Sequence, residues 1–306
     1  EKGYVPYPIP EGKFGLHQDG VSLTMEYAYQ DFSLAQLAKK LGHDDDYMYF
    51  MGRSKNYKNV FDASIGWMRP KNATGVWKKD FDPFRYENGF NESNGAQATW
   101  FVPHDLEGLA ELLGGKPQAV EKLNQQFEQS SELAFTAGTS HDREMHPEYS
   151  RIPINYGNQP SIQTAFIFNK LGRPDLTQYW SRKVVDNVFS GLSPATGYKG
   201  DEDQGLMGSL SVLMKIGLFQ MNGGTEKNPE YQLGSPIFDK IIIHLNQDFY
   251  SGKTFEINAN NNNADNLFVN ELQWNNTALE HFSLKHEDIV RGGVLELDMG
   301  KNKVSN

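Results

Sequence analysis

The feature that most limits the fold is a change of hydrophobic period near residue 220. Before it, apolar residues recur at helical spacing. The first such segment starts at Val21, runs through Leu34 and Leu41, and stops at Gly42, which suits a left-handed C-terminal position. A second helix is expected over about 44–61. Others are expected over 103–113, 117–129, 160–171, 174–189 and 205–218, several of them opened by Pro or closed by Gly. Helices paired by short turns and separated by long loops have the rhythm of stacked αα-hairpins with the loops gathered on one face. After Met221 the apolar segments shorten and several alternate, as in Phe255-Glu-Ile-Asn-Ala and Val294-Leu-Glu-Leu. The gaps between them are rich in Asn and Gly. The expectation is a mainly α region over 1–220, followed over 221–306 by a small antiparallel β region.

Composition removes several functions. The net charge of −10, with the acids spread along the chain, argues against nucleic acid or anionic membrane as partner. No apolar run approaches the roughly 18 residues of a membrane span. Cysteine is absent, so there is no disulfide framework, thiolate nucleophile or Cys-ligated metal. Glu1 is not a natural start, so the chain is expected to be processed or part of something longer. The stretch 62–100 reads as one long loop carrying Trp67, Trp77, Phe81, Phe84, Tyr86, Phe90 and Trp100. These aromatics serve either as stacking faces for sugar rings or as anchors for the loop.

The strongest chemical signal is Gly200-Asp201-Glu202-Asp203-Gln204-Gly205, three carboxylates bracketed by glycines just before an apolar helical run. Crowded carboxylates raise one another's pKa, which poises one of them as a base. A helix cap with a solvated acidic turn is the simpler reading of the same residues.

Three motifs, in order, resemble one family. Residues 89–105, Gly-Phe-Asn-Glu-Ser-Asn-Gly-Ala-Gln-Ala-Thr-Trp-Phe-Val-Pro-His-Asp, resemble the general-acid stretch of family 92 glycoside hydrolases. Tyr156-Gly-Asn-Gln-Pro-Ser resembles that family's Gly-Asn-Glu-Pro-Ser calcium turn. Residues 200–207 resemble its Gly-x-x-Asp-x-Gly-x-Met base loop. Leu23-Thr-Met-Glu-Tyr-Ala-Tyr, Gly234-Ser-Pro-Ile-Phe-Asp-Lys and Gly292-Gly-Val-Leu-Glu-Leu-Asp-Met match as well. The resemblance implies a calcium-dependent, inverting exo-α-mannosidase acting on mannose-containing glycans. It also implies a β-sandwich followed by an (α/α)6 barrel, of which this chain holds a partial toroid. The sandwich and the first barrel helices would come from an upstream segment or a second polypeptide, and the protein would be bacterial, and periplasmic or on the cell surface.

The resemblance assigns Glu92 as general acid and Asp203, assisted by Asp201, as general base. Asn158, Gln159 and Asp203 would hold Ca²⁺; Asn155, Tyr156 and Trp100 would contact substrate. Burial of Glu92 among Phe90, Trp100 and Phe101 would favour its protonated form. Three departures matter. Gln159 replaces the common Glu, removing a charge beside the metal. Asn155-Tyr156 stands where α1,2-selective members carry His-Glu, so another linkage is expected. Ala96 and Ala98 replace Trp and Tyr, which reshapes the pocket wall. A zinc site at His141, Asp142, Glu144 and His146 has poor spacing for one helix face, and no Gly-x-Ser-x-Gly elbow is present. The rival readings are another (α/α)6 carbohydrate enzyme, a glucosidase or polysaccharide lyase, and a non-catalytic carbohydrate-binding protein.

Overall fold

The computed structural model describes residues 2–9, 18–86, 88–137, 151–193, 196–197 and 199–303. The chain mixes helices with sheet and divides into two compact units, Glu1–Thr164 with Gly191–Asp201, and Ala165–Ser190 with Glu202–Asn306. The expected boundary at 220 separates helix from strand, whereas these units are interleaved in sequence. Residues 165–190 and 202–216 group with the strands.

In the first unit, α1 (Gly20–Leu41) buries Val21, Met25, Ala28, Phe32 and Ala35, a stripe at 3.6-residue spacing. Gly42 ends the helix at φ 79°, its N–H reaching the Ala38 and Lys39 carbonyls. The second helix is shorter than its pattern predicts. α2 (Asp44–Arg53) stops where the buried Ser54 hydroxyl turns back to the Met51 carbonyl, and a 3-10 turn (Asn56–Val60) follows. The long loop then opens with two short antiparallel strands, β1 (Phe61–Asp62) and β2 (Trp67–Met68). Asp62 closes their connection by accepting from the Ser64 N–H and hydroxyl and from Arg69. The loop aromatics serve here as anchors. Lys122 lies 3.2 Å over the Trp67 ring and Lys71 3.9 Å over Trp77, while Phe84 packs edge-on against Trp67. Short α3 (Gly95–Ala98) is capped by Asn94 and α4 (Leu106–Leu112) by Asp105. α5 (Lys116–Ser131) then starts after Gly115 with a Pro in its first turn.

The second unit contains α6 (Thr164–Lys170, all but its first residue), α7 (Pro174–Val188) and α8 (Leu206–Ile216). A three-stranded antiparallel sheet, in the order β3-β4-β9, is formed by β3 (Leu218–Phe219), β4 (Glu230–Leu233) and β9 (Ser283–Lys285). The five-stranded sheet runs β5 (Lys240–His244), β6 (Thr254–Asn260), β10 (Gly293–Gly300), β7 (Phe268–Trp274), β8 (Thr277–Ala278). The expectation of an antiparallel region needs correction, because β10 pairs with β6 in parallel, Leu295 opposite Ile257. A parallel pair needs a long return path. Strands β7 to β9 and α9 (His286–Arg291) supply it, delivering β10 into the middle of the sheet. The predicted alternation holds there: Leu295 and Leu297 are buried opposite Ile257 and Ala259 on one side, and Leu297 and Met299 opposite Leu272 and Val269 on the other, with Phe255 in the same core.

Candidate active site

Glu92 occupies the left-handed backbone region, φ 46°. For a residue with a Cβ this conformation costs about 1–3 kcal/mol, and it persists only where the surroundings enforce it. They do. The Asn91 N–H donates to the Ser22 hydroxyl of α1 at 3.0 Å, and the Val21 N–H to the Gly89 carbonyl at 3.2 Å. On the other side the Asn158 carboxamide donates to the Glu92 carbonyl at 2.9 Å. Asn94 caps α3 with its oxygen and donates to the Ile152 carbonyl with its nitrogen. Gly89 is required before this turn: its φ is 100° and an added Cβ would meet the Pro70 ring at 2.4 Å.

The turn carrying Glu92 borders a cleft of about 470 Å³. The opposite wall is one face of α1, Ser22, Met25, Glu26, Tyr29 and Gln30, whose spacing of three and four places them on one stripe. Ala98, Phe101, Gln159 and Pro160 complete it. Glu26 is exposed, yet partial desolvation by the neighbouring wall, and secondarily the Asp19 charge, raise its carboxyl above the ordinary range. Ser93 lines the same cleft with 1% of its surface exposed, and its hydroxyl has no hydrogen-bond partner.

The Gly157 turn is fixed from within. The Asn155 oxygen accepts the Gly157 and Ala137 N–H groups, and the Asn158 oxygen accepts from the Gln159 N–H at 2.9 Å. Gly157 and Gly200 meet backbone to backbone: a Cβ on Gly200 would lie 2.1 Å from the Gly157 Cα. The Asp201 N–H then donates to the Gly157 carbonyl at 3.1 Å. Within the first unit the structure therefore joins the predicted acid stretch, the predicted metal turn and the start of the predicted base loop.

Asp203 belongs to the second unit. Asp203 and Gln204 are left-handed, φ 53° and 57°, and Asp203 is exposed. The Glu202 carboxylate reaches the start of α8. Glu202 accepts the Gly205 N–H at 2.6 Å and the Gly208 N–H at 3.3 Å, and its own carbonyl accepts from Met207.

The three residues expected to contact substrate lie away from this cleft. Trp100 is 1% exposed and its indole donates to Gln126; Asn155 and Tyr156 are buried as well, and none of the three borders the cleft. Each braces the backbone that holds the polar turns. The proposed zinc residues at 141–146 lie outside the described residues, and among those described no His, Asp or Glu cluster of metal-site size occurs. The amide donors do fit a calcium by type: Gln159 faces the cleft, and the Asn158 oxygen keeps a second lone pair. Sequence reasoning missed Glu26 and Ser93. The signal for Glu26 was a carboxylate one helical turn on from Ser22, in a segment that already matched the family.

A model of the glycosyl hydrolase family 92 catalytic domain matches residues 1–301. An uncharacterized secreted glycosidase of Arthroderma benhamiae is 27% identical over 95% of this chain and 37% of that protein. A family GH92 alpha-mannosidase from Bacteroides thetaiotaomicron, solved in complex with mannoimidazole, superposes with a TM-score of 0.82 at 29% identity, over 99% of this chain and 38% of that one. A family GH92 inverting mannosidase from the same organism gives 0.80 at 31% identity, over 98% and 39%. The chain thus spans 37–39% of the length of these relatives.

Proposed function

The chain belongs to glycosyl hydrolase family 92, and from that premise we propose that it carries the acid side of an inverting exo-α-mannosidase within a larger catalytic assembly. The observation that carries this reading is Glu92, held in a strained turn by Asn158 and facing a cleft large enough for a sugar. Glu92 protonates the glycosidic oxygen as its bond to the sugar breaks. Asp203, with Asp201 beside it in sequence, takes a proton from the attacking water. Inversion requires these carboxyls about 6.5–9.5 Å apart, leaving space for that water. Asn158, Gln159 and Asp203 would hold Ca²⁺, which when bound grips sugar hydroxyls. The helices form part of an (α/α)6 toroid, completed by an upstream β-sandwich and barrel half on the same or another polypeptide.

Asn155 and Tyr156 replace the His-Glu of α1,2-selective members and are buried, so the preferred linkage is not α1,2. Two of the relatives are mannosidases and one is a secreted glycosidase. A glycan-degrading role outside the cytoplasm fits them, and no described helix is long and apolar enough to cross a membrane.

The test uses the longest natural polypeptide containing this chain. Glu92→Gln lowers kcat on α-mannosides with poor leaving groups by about 10²–10⁴-fold, the range of general-acid catalysis, and lowers it far less on a dinitrophenyl mannoside that needs no proton. Asp203→Asn lowers both alike, and proton NMR of the first product shows β-mannose. Undiminished turnover in Glu92→Gln, or α-mannose as the first product, overturns the reading.

A further inference from the structure

Glu26 lies in the Leu-Thr-Met-Glu-Tyr-Ala-Tyr segment, which matched the family but to which the sequence assigned no chemistry. Its position follows from two contacts already described. Ser22 of α1 receives the Asn91 N–H, so the first turns of α1 are tied to the loop carrying Glu92. Glu26 is four residues on from Ser22, one turn along the same stripe, where neighbouring Cβ atoms lie about 5–6 Å apart. Both residues border the cleft, as does Glu92. Glu26 is exposed on the wall of the cleft, where its carboxylate can meet a ligand. Glu26 has neither a hydrogen bond nor an ion pair among the described residues, and the charge nearest it is another acid, Asp19. Across the cleft, the buried Ser93 hydroxyl is unpartnered as well.

The charge of the lining is equally one-sided. Among the described residues its carboxylates are Glu26 and Glu92, and no Lys, Arg or His borders the cleft. Such a wall offers acceptors to sugar hydroxyls and repels phosphate or carboxylate.

We propose that Glu26 is a second substrate-contacting residue of this cleft, binding glycan hydroxyls from the α1 side and excluding mannosides that bear an anionic group. The proposal rests on the mannosidase reading. It differs from the roles of Glu92 and Asp203 in requiring no proton transfer: Glu26 selects and orients, and Glu92 reacts.

The experiment measures kcat/KM of the longest natural polypeptide on three substrates: 4-nitrophenyl α-mannoside, its 6-phosphate, and an α-mannoside with a carboxylate on the aglycone. Wild type turns over the neutral substrate and discriminates against both anions. Glu26→Gln keeps the shape and removes the charge. It lowers kcat/KM on the neutral substrate by about tenfold, the size of one hydrogen bond to a charged group. It also narrows the neutral-to-anionic ratio by about tenfold for whichever substrate places its charge against α1. The ratio is taken within one preparation, so a misfolded fraction cancels from it. A ratio unchanged for both anions, or a wild type that accepts them as readily as the neutral substrate, overturns the proposal while the mannosidase reading stands. A wild type inert on all three, yet active on another glycoside, overturns that reading and this proposal with it.

Discussion

The two acidic turns of this chain reach the same backbone conformation by different means. Glu92 and Asp203 are both left-handed residues with a Cβ, φ 46° and 53°. Around Glu92, the neighbouring N–H and the residue's own carbonyl are bonded to side chains 69 and 66 positions distant, and the turn borders a cleft. Beside Asp203, Glu202 folds over the start of α8, and the Leu206 N–H returns to the Asp203 carbonyl. The first turn is a product of packing and the second largely a product of helix capping. An acid that must meet a leaving group in one orientation is served by the first arrangement. An exposed loop that leads into a helix is served by the second.

The largest test of this contrast is Gly200→Ala. Its Cβ would strike the Gly157 backbone and push apart the turns that hold Asn158 and Asp201, with a loss of about 1–3 kcal/mol of stability and of most activity. A urea melt paired with a mannoside assay checks both, and an unshifted midpoint would mean that this contact gives way easily. Asn158→Ala leaves the Glu92 carbonyl without its donor, at a similar or smaller cost of about 1–3 kcal/mol. The contrast is sharpened if its activity loss exceeds that of Glu202→Ala. That variant removes a helix cap worth about 1 kcal/mol, and should lower the melting temperature with less effect on turnover.

Gln159→Glu restores a carboxylate to the amide pair. If calcium sits there, the variant needs about tenfold more chelator for half-inactivation than wild type, since affinity follows ligand charge. An unchanged chelator titration removes Gln159 from the metal site.

The smallest effect concerns Glu26. Its carboxyl holds a proton to higher pH in the folded chain than in the unfolded one, so the stabilisation is full below the ordinary carboxylate range and lost as pH rises through the raised value. Glu26→Gln therefore melts at or above wild type at pH 7, with the gap closing below about pH 4. A variant less stable than wild type at pH 7 would give Glu26 a structural duty instead.

Much of the helical part was legible. The Gly42 stop and the Pro start of α7 are local chemistry, fixed by φ preference and by missing or spare N–H groups. The three motifs were legible too, because each is a short run of glycines, amides and acids. Long-range packing was not legible. Trp100, Asn155 and Tyr156 look exposed by residue type and by position in loops, yet each is buried under segments distant in sequence. The parallel pairing of β6 with β10 was hidden for the same reason, since alternation fixes which face a residue occupies but not which strand lies beside it.

The amino-acid order alone established the helical segments, the strand region, the family resemblance and the residue types available for acid, base and metal chemistry. These depend on spacing and on side-chain properties that act within a few residues. Only the tertiary structure decided that Asn158 braces the Glu92 turn, that Gly157 and Gly200 touch, that the Glu202 carboxylate reaches the start of α8, and that Glu26 faces the cleft. Each of those, apart from the Glu202 contact, depends on contacts between distant segments. Even that contact was decided by how the backbone turned the Glu202 carboxylate toward the free N–H groups of the helix.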